Sequence, residues 1–302
     1  MSRRRTEAEP PGRARRRLGR GERGFAAPRR LGLALLCVAL AAPADPPDAR
    51  ETGAHARRLL VDQHVPEALE RLEALAAELA AGEAPAPPRD RELDWGPRVQ
   101  RAFAGERLFE AVVARMAERY EHGPAQAFAR FFDTPLGAAV LACEARTLEE
   151  PETPARFRAF LEDLAAQPLP QEREALAERL ERAMGSSEMT AAALVAIRQG
   201  LRRAWLGDAE QRGAGERALL ETLRQVDAAQ TRAAVRTLSL QGLLFTYRSL
   251  SGEELAELAR FAESDAAQWF YRTLNEAVGE AVAEAAAAFE SEIADLAPRL
   301  PP

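Results

Sequence analysis

Apolar positions along this chain recur with the pitch of an α-helix. Phe109, Val112, Val113, Met116 and Tyr120 fall at i, i+3, i+4, i+7 and i+11, one face of an amphipathic helix. Leu69, Leu72, Ala76 and Leu79 repeat the spacing after Pro66, which suits the first turn of a helix. The longest stripe runs through Leu274, Val278, Val282, Ala285, Phe289, Ile293 and Leu296, about six turns at ~3.6 residues per turn. No segment alternates apolar and polar residues over a strand's length with β-branched or aromatic enrichment. The expected fold is all-α, a helical bundle made of two related repeats packed together.

Breaks in the pattern fall at Gly82 to Pro88, Glu149 to Pro154, Gln167 to Pro170 and Gly207 to Gly215. They divide the chain into residues 1–44, a first helical domain over 45–166 and a second over 167–302. Helix starts are marked: Thr153 is expected to cap a helix with Pro154 in its first position, and Ser251-Gly-Glu-Glu254 has the spacing of a capping box.

A chain of 302 residues with 47% hydrophobic residues can bury a core, and two Cys exclude a disulfide scaffold. All 41 basic residues are Arg, a coding bias and not a functional signal. Charge is unevenly placed. Residues 1–30 hold eleven Arg against Glu7, Glu9 and Glu22, a net of +8, whereas residues 45–302 carry −14. Between them lies the uncharged run Leu31-Gly-Leu-Ala-Leu-Leu-Cys-Val-Ala-Leu-Ala-Ala42, followed by Pro43 and Ala44. A basic stretch, a short apolar core and small residues read as a secretory signal, too short to span a bilayer. The expectation is a periplasmic or secreted protein that has no stable membrane span after cleavage. The alternatives are an uncleaved membrane anchor and a basic arm followed by a buried helix. The strongly acidic remainder argues against nucleic-acid binding.

Sliding the chain over itself by 130 residues lays Arg130-Phe-Phe-Asp-Thr134 on Arg260-Phe-Ala-Glu-Ser264. Phe128 then falls on Leu258, Ala125 on Leu255 and Gly137 on Ala267, with Tyr120 and Tyr247 ahead of the two copies. An internal duplication is the expected cause, with chance similarity between two alanine-rich helical regions as the alternative. Tyr120 followed by Phe131-Phe-Asp-Thr-Pro-Leu-Gly137 resembles the end of an uncharacterised, exported, all-helical family of proteobacteria, a domain of unknown function. Its members show a Tyr, an acidic phrase and then Phe-Tyr-x-Ser-Pro-x-Gly. The resemblance covers residues 56–146, with a degraded second copy over 186–285. The second copy keeps Leu250-Ser-Gly-Glu-Glu-Leu255 but lacks the Pro and Gly after Ser264; the first keeps these and lacks the acidic phrase. The resemblance implies export and a helical fold and carries no catalytic residues.

The motif also has a purely architectural reading. Phe131 would end one helix facing the core, Thr134 cap the next, Pro135 take its first position and Gly137 admit a neighbouring backbone. On that reading Phe131→Ala costs ~3–5 kcal/mol. Tyr120, Tyr247, Phe261, Ser264, Ser251 and Glu254 belong to the same structural set, and the alternative is a binding site. Trp269, Phe270 and Tyr271 are consecutive, so at least one is expected to be half exposed, as a partner contact or an inter-repeat seam.

Candidate chemistry is sparse. His55, His64 and His122 have no metal spacing, Cys143 sits on an apolar helix face, and Gly19-Arg-Gly-Glu-Arg-Gly24 lacks the strand a dinucleotide site needs. Glu276, Glu280 and Glu284 stack at i, i+4 and i+8, expected as a solvated face. No nucleophile, base and orienter can be assembled, so no enzyme and no cofactor are expected. The sequence reads as an interaction or scaffold module of the cell envelope with an unknown protein partner. The alternative is a carrier of an apolar small molecule or lipid held between the repeats.

Overall fold

The computed structural model describes residues 49–83, 95–150, 152–206 and 214–296. Residues 1–44 with the expected secretory signal, most of the Gly82–Pro88 loop and residues 207–213 of the Gly207 break lie outside the described residues. Within them the chain forms twelve helices and no strand. These are α1 (Ala49–Asp62), α2 (Val65–Glu83), α3 (Trp95–Ala102), α4 (Gly105–Glu118), α5 (His122–Phe132) and α6 (Pro135–Glu149). After them come α7 (Thr153–Ala166), α8 (Gln171–Met184), α9 (Ser186–Leu206), α10 (Ala214–Thr246), α11 (Gly252–Ala262) and α12 (Asp265–Leu296). The all-α expectation holds. No described helix is long and apolar enough to cross a membrane.

Some features of the helices before α7 return in the helices after it. α1 and α8 both have 14 residues, and each passes through a left-handed residue into the next helix, His64 at φ 54° and Gly185 at φ 64°. α5 and α11 both have 11 residues and start 130 positions apart, at His122 and Gly252. The corners that follow have hydrogen bonds in common. The Thr134 N–H donates to the Phe131 carbonyl at 3.0 Å, and the Ser264 N–H donates to the Phe261 carbonyl at 2.9 Å. The Thr134 hydroxyl accepts from the Gly137 N–H at 3.0 Å, and the Ser264 hydroxyl accepts from the Ala267 N–H at 3.4 Å. The aligned pairs Phe128 and Leu258, Ala125 and Leu255, and Gly137 and Ala267 are all buried.

Gly137 has a steric reason. A Cβ there would lie 2.1 Å from the Phe131 carbonyl oxygen and 2.5 Å from the Phe132 Cα, so only glycine lets α6 start this close to the end of α5. Ser251 and Glu254 form the expected capping box of α11, each side chain accepting the other residue's backbone N–H. One cap is corrected. Thr153 lies inside α7, its N–H donating to the Glu150 carbonyl at 3.0 Å, so Glu152 takes the flanking position without a side-chain cap and Pro154 is the second helical residue.

Residues 46–302 are one compact unit, and helices from both sides of residue 166 share its core. α12 is the spine, packed mainly along α9 and also against α4, α5, α3 and α8. Val278, Val282, Ala285, Phe289 and Ile293 of its stripe are all buried. The charged face of α12 is not simply solvated: Glu280 pairs with Arg115 of α4 and with Arg119, which follows that helix, and Glu284 pairs with Arg115. A second cluster gathers Val140, Cys143, Leu180, Tyr247, Leu250, Leu255 and Leu258. Phe132, Phe261 and Tyr271 pack against both clusters and mark the seam between them.

Aromatic rings fill that seam. Phe131 stacks face to face on Phe261, its counterpart 130 residues on, with centroids 3.6 Å apart and planes within 7°. Phe128 stacks on Phe270 at 4.1 Å and meets Tyr271 edge-on at 6.0 Å. Phe128 is the fully buried ring, whereas Phe131 is only half-buried. Phe131 packs against the second cluster, and Phe128, one turn earlier on the same face of α5, is the more deeply buried ring.

Candidate functional site in the cleft between the two halves

Where the two halves meet, the helices do not close completely. A cleft of about 290 Å³ is left, walled by residues of both halves: the α1–α2 turn, α2, the end of α5 and α6 from the first, and α8 to α12 from the second. Its walls are mostly apolar, with Val140, Leu148, Leu180, Met184, Leu258, Phe270 and Leu274 among them. Its polar groups are few and convergent, which is the usual make-up of a small-molecule site.

The central polar group is Glu144 of α6. The Tyr247 hydroxyl, from the end of α10, donates to Glu144 Oε1 across the seam. Arg173 of α8 fixes Tyr247 in turn, donating to its carbonyl at 2.7 Å and to the Leu250 carbonyl at 2.9 Å. Burial pushes the Glu144 carboxyl above the ordinary carboxylate range; the Tyr247 hydrogen bond and nearby His64 draw it partly back. Burial, and then the negative Glu144, hold the Tyr247 phenol well above its ordinary value. Tyr271 is raised for the same two reasons in the same order. Glu144 and Tyr271 lie deep among protein atoms yet keep accessible surface, because that surface is the cleft wall.

The remaining polar groups are set by helix ends. His64 occupies the left-handed turn between α1 and α2, its N–H donating to the Val61 carbonyl at 3.0 Å. Asn275 of α12 donates to the Met184 carbonyl at 3.0 Å, tying the spine to the end of α8. Arg71 of α2 stands at the rim and donates to the Leu148 carbonyl at 3.3 Å. Among the described residues no group of three or more His, Cys, Asp and Glu could hold a metal ion. The Cys143 sulfur is buried and meets the Ser249 hydroxyl at 3.3 Å and Arg146 at 3.5 Å, with no histidine in the arrangement.

A second, apolar lobe of about 210 Å³ adjoins the cleft and shares Ala68, Arg71, Met189 and Leu274 with it. It lies between α2, α9 and α12, lined by Val65, Leu69, Leu72, Leu75, Ala193 and Val278. On the far side of Arg71 a wider hollow of about 600 Å³ lies under α7, bounded by Phe157, Leu238 and Phe245.

No known protein family, curated protein or solved structure matches this chain.

The residues singled out in the sequence divide between this cleft and its frame. Tyr247 and Tyr271 line the cleft, and so does Phe270, which is buried together with Trp269. Three consecutive aromatics stay largely out of solvent because α12 has neighbours on several sides; only Tyr271 is partly accessible. Trp269 instead meets Tyr120 edge-on at 6.0 Å, and Tyr120 stacks on His55 at 6.1 Å, with His122 6.4 Å from His55. Tyr120 and Tyr247 therefore sit apart, each touching the last helix of the opposite half. Phe131, Thr134, Pro135, Gly137, Phe261 and Ser264 build the corners; Ser251 and Glu254 cap α11.

Sequence reasoning missed Glu144, Arg71 and Asn275, and set His64 aside for want of metal spacing. Glu144 follows Cys143 in an alanine-rich helix and carries no spacing signal. It faces the cleft only because α6 crosses to the second half, which no local pattern encodes.

Proposed function

We propose that this protein is a non-enzymatic carrier that holds a small, largely apolar molecule in the cleft between its two halves. The observation that supports it is the Glu144–Tyr247 hydrogen bond inside an apolar cleft whose walls come from both halves. A buried carboxyl costs free energy unless something repays it, and a bound polar group reaching the second carboxyl oxygen and the Tyr271 hydroxyl would do so. The interaction-module reading is weaker in comparison. It draws on the hollow under α7 and on Leu238, which is 56% exposed beside it.

The recurrent order of α1–α6 and α8–α12 reads as a duplication of one five-helix unit, α3 and α4 together corresponding to α10. A cleft at the junction is a natural product of that pairing. Kinship with the exported helical family rests on the two Tyr…Phe segments, and export rests on residues 1–44. Sequencing the N-terminus of the mature protein tests the export step, with a start near Ala42 or Asp45 expected.

Native mass spectrometry after incubation with a total lipid extract tests the carrier reading. The wild-type protein should gain one small-molecule adduct. Ala68→Trp, at an exposed position bordering both lobes, should not. A wild-type protein that retains nothing would contradict the reading.

A further inference from the structure

The two lobes differ in chemistry, and the difference specifies a ligand class. The cleft proper carries Glu144, Tyr247, Tyr271, Asn275, His64 and Arg71 within one volume. The adjoining lobe is walled almost wholly by aliphatic side chains: Leu69, Leu72, Leu75, Ala193 and Val278. They share Ala68, Met189 and Leu274, which are apolar, and Arg71, which is exposed at the rim, so a molecule can pass from one lobe to the other along an apolar floor.

The head end is balanced in charge. Glu144 and Arg71 are of opposite sign, and each already has a hydrogen-bonded protein partner. What remains for a ligand is neutral hydrogen bonding: the Tyr271 hydroxyl, for which no hydrogen bond to the described residues is found, the second Glu144 oxygen, and the Asn275 amide. An ammonium attracted to Glu144 meets Arg71 at the rim as a like charge, and a carboxylate attracted to Arg71 meets Glu144, so neither charged head gains a net electrostatic partner. A head with hydroxyl groups both donates and accepts and meets neither penalty.

We infer that the cleft binds a neutral single-chain amphiphile, its hydroxylated head against Glu144, Tyr271 and Asn275 and its hydrocarbon chain in the lobe between α2, α9 and α12. The inference rests on the carrier reading and adds the head chemistry and the position of the tail. The chain contributes through burial, about 0.8 kcal/mol per methylene, or roughly fourfold in affinity for each, until the lobe is filled. The head contributes selectivity: losing one hydrogen bond costs roughly threefold to tenfold.

Titration calorimetry on the whole protein at neutral pH, with monomeric 1-acylglycerols of increasing chain length, dodecanoate and dodecylamine, tests this. The acylglycerol of twelve carbons should bind at least about tenfold tighter than either charged amphiphile of equal length. Affinity should climb with chain length and then level off. Tyr271→Phe should weaken all acylglycerols by the same threefold to tenfold factor. Thr190→Trp, a half-buried position that lines only the tail lobe, should weaken long chains and spare the shortest. Equal or tighter binding of dodecanoate or dodecylamine, or a Thr190→Trp protein with wild-type chain-length dependence, overturns this inference while the carrier reading stands. Failure of every amphiphile to bind the folded wild-type protein overturns both.

Discussion

Replacing Phe128 by alanine removes the ring that joins the two halves, and its cost can be set against that of Phe131→Ala three residues later. Phe128 is 0% exposed and lies within 6.0 Å, centroid to centroid, of the rings of Phe132, Phe261, Phe270 and Tyr271. Truncating a fully buried Phe in a core that cannot collapse costs about 3–5 kcal/mol. The lost ring pairs, each worth ~0.5–1.5 kcal/mol beyond burial, put Phe128→Ala toward the upper end. Phe131 makes the closest stack in the molecule's seam but is only half-buried. Its truncation therefore forfeits about half of a full burial term, ~1–2 kcal/mol, and opens a space that water can enter. Urea unfolding followed by helical ellipticity gives both numbers, with the midpoint shifting and the slope unchanged if only stability is affected. A Phe131→Ala protein as destabilised as Phe128→Ala, or a Phe128→Ala protein within about 1 kcal/mol of wild type, would refute the assignment of the seam to Phe128.

Four further outcomes follow from particular positions and elements. Gly137→Ala should destabilise by about 2–3 kcal/mol, because its Cβ meets the Phe131 carbonyl at 2.1 Å. Gly279→Ala, in the interior of α12 with nothing within 4 Å of the added Cβ, should stabilise by ~0.5–1 kcal/mol; paired thermal melts check the opposite signs. Glu144 has a raised folded-state pKa, so the native state keeps this proton longer than the unfolded chain. Its contribution is full below the ordinary value of 4.5 and is lost as pH rises through the raised value. Glu144→Gln should therefore remove that decline, so the variant-minus-wild-type stability grows with pH across the window when melts are recorded at stepped pH. α7 has no buried residue and packs chiefly on α10 through Phe157 and Phe160 against Phe245. Its amides should exchange with solvent well before those of α12 in a hydrogen-exchange time course.

Much of the fold is legible in the sequence because helical periodicity is local. The stripes on α4 and α12 become buried faces, and the corner residues Thr134, Pro135 and Gly137 take the positions their chemistry suits. The Thr153 cap fails for a related reason: a Thr-Pro pair marks a helix start only to within one residue, and the Glu150 carbonyl decides which. The cleft was hardly legible. Tyr247 and Tyr271 stood out as aromatic residues, but their partner Glu144 is 103 positions from Tyr247 and looks like any surface glutamate in α6. The interlocking of α6 and α12 with the opposite halves brings these residues together, and that is a property of tertiary packing with no short-range signature. For the same reason no local signal distinguishes Phe128 as the deeper of the two rings on that face of α5.

The central claim is that one cleft, built jointly by both halves, holds the ligand. Photolabelling with an acylglycerol bearing a diazirine in its chain, followed by peptide mapping, tests it most directly. Cross-links should concentrate in residues 65–75 of α2, 189–193 of α9 and 274–278 of α12, and fall away when unlabelled acylglycerol is added in excess. Labels spread over exposed faces such as α7 and the outer side of α10, undiminished by the competitor, would contradict it.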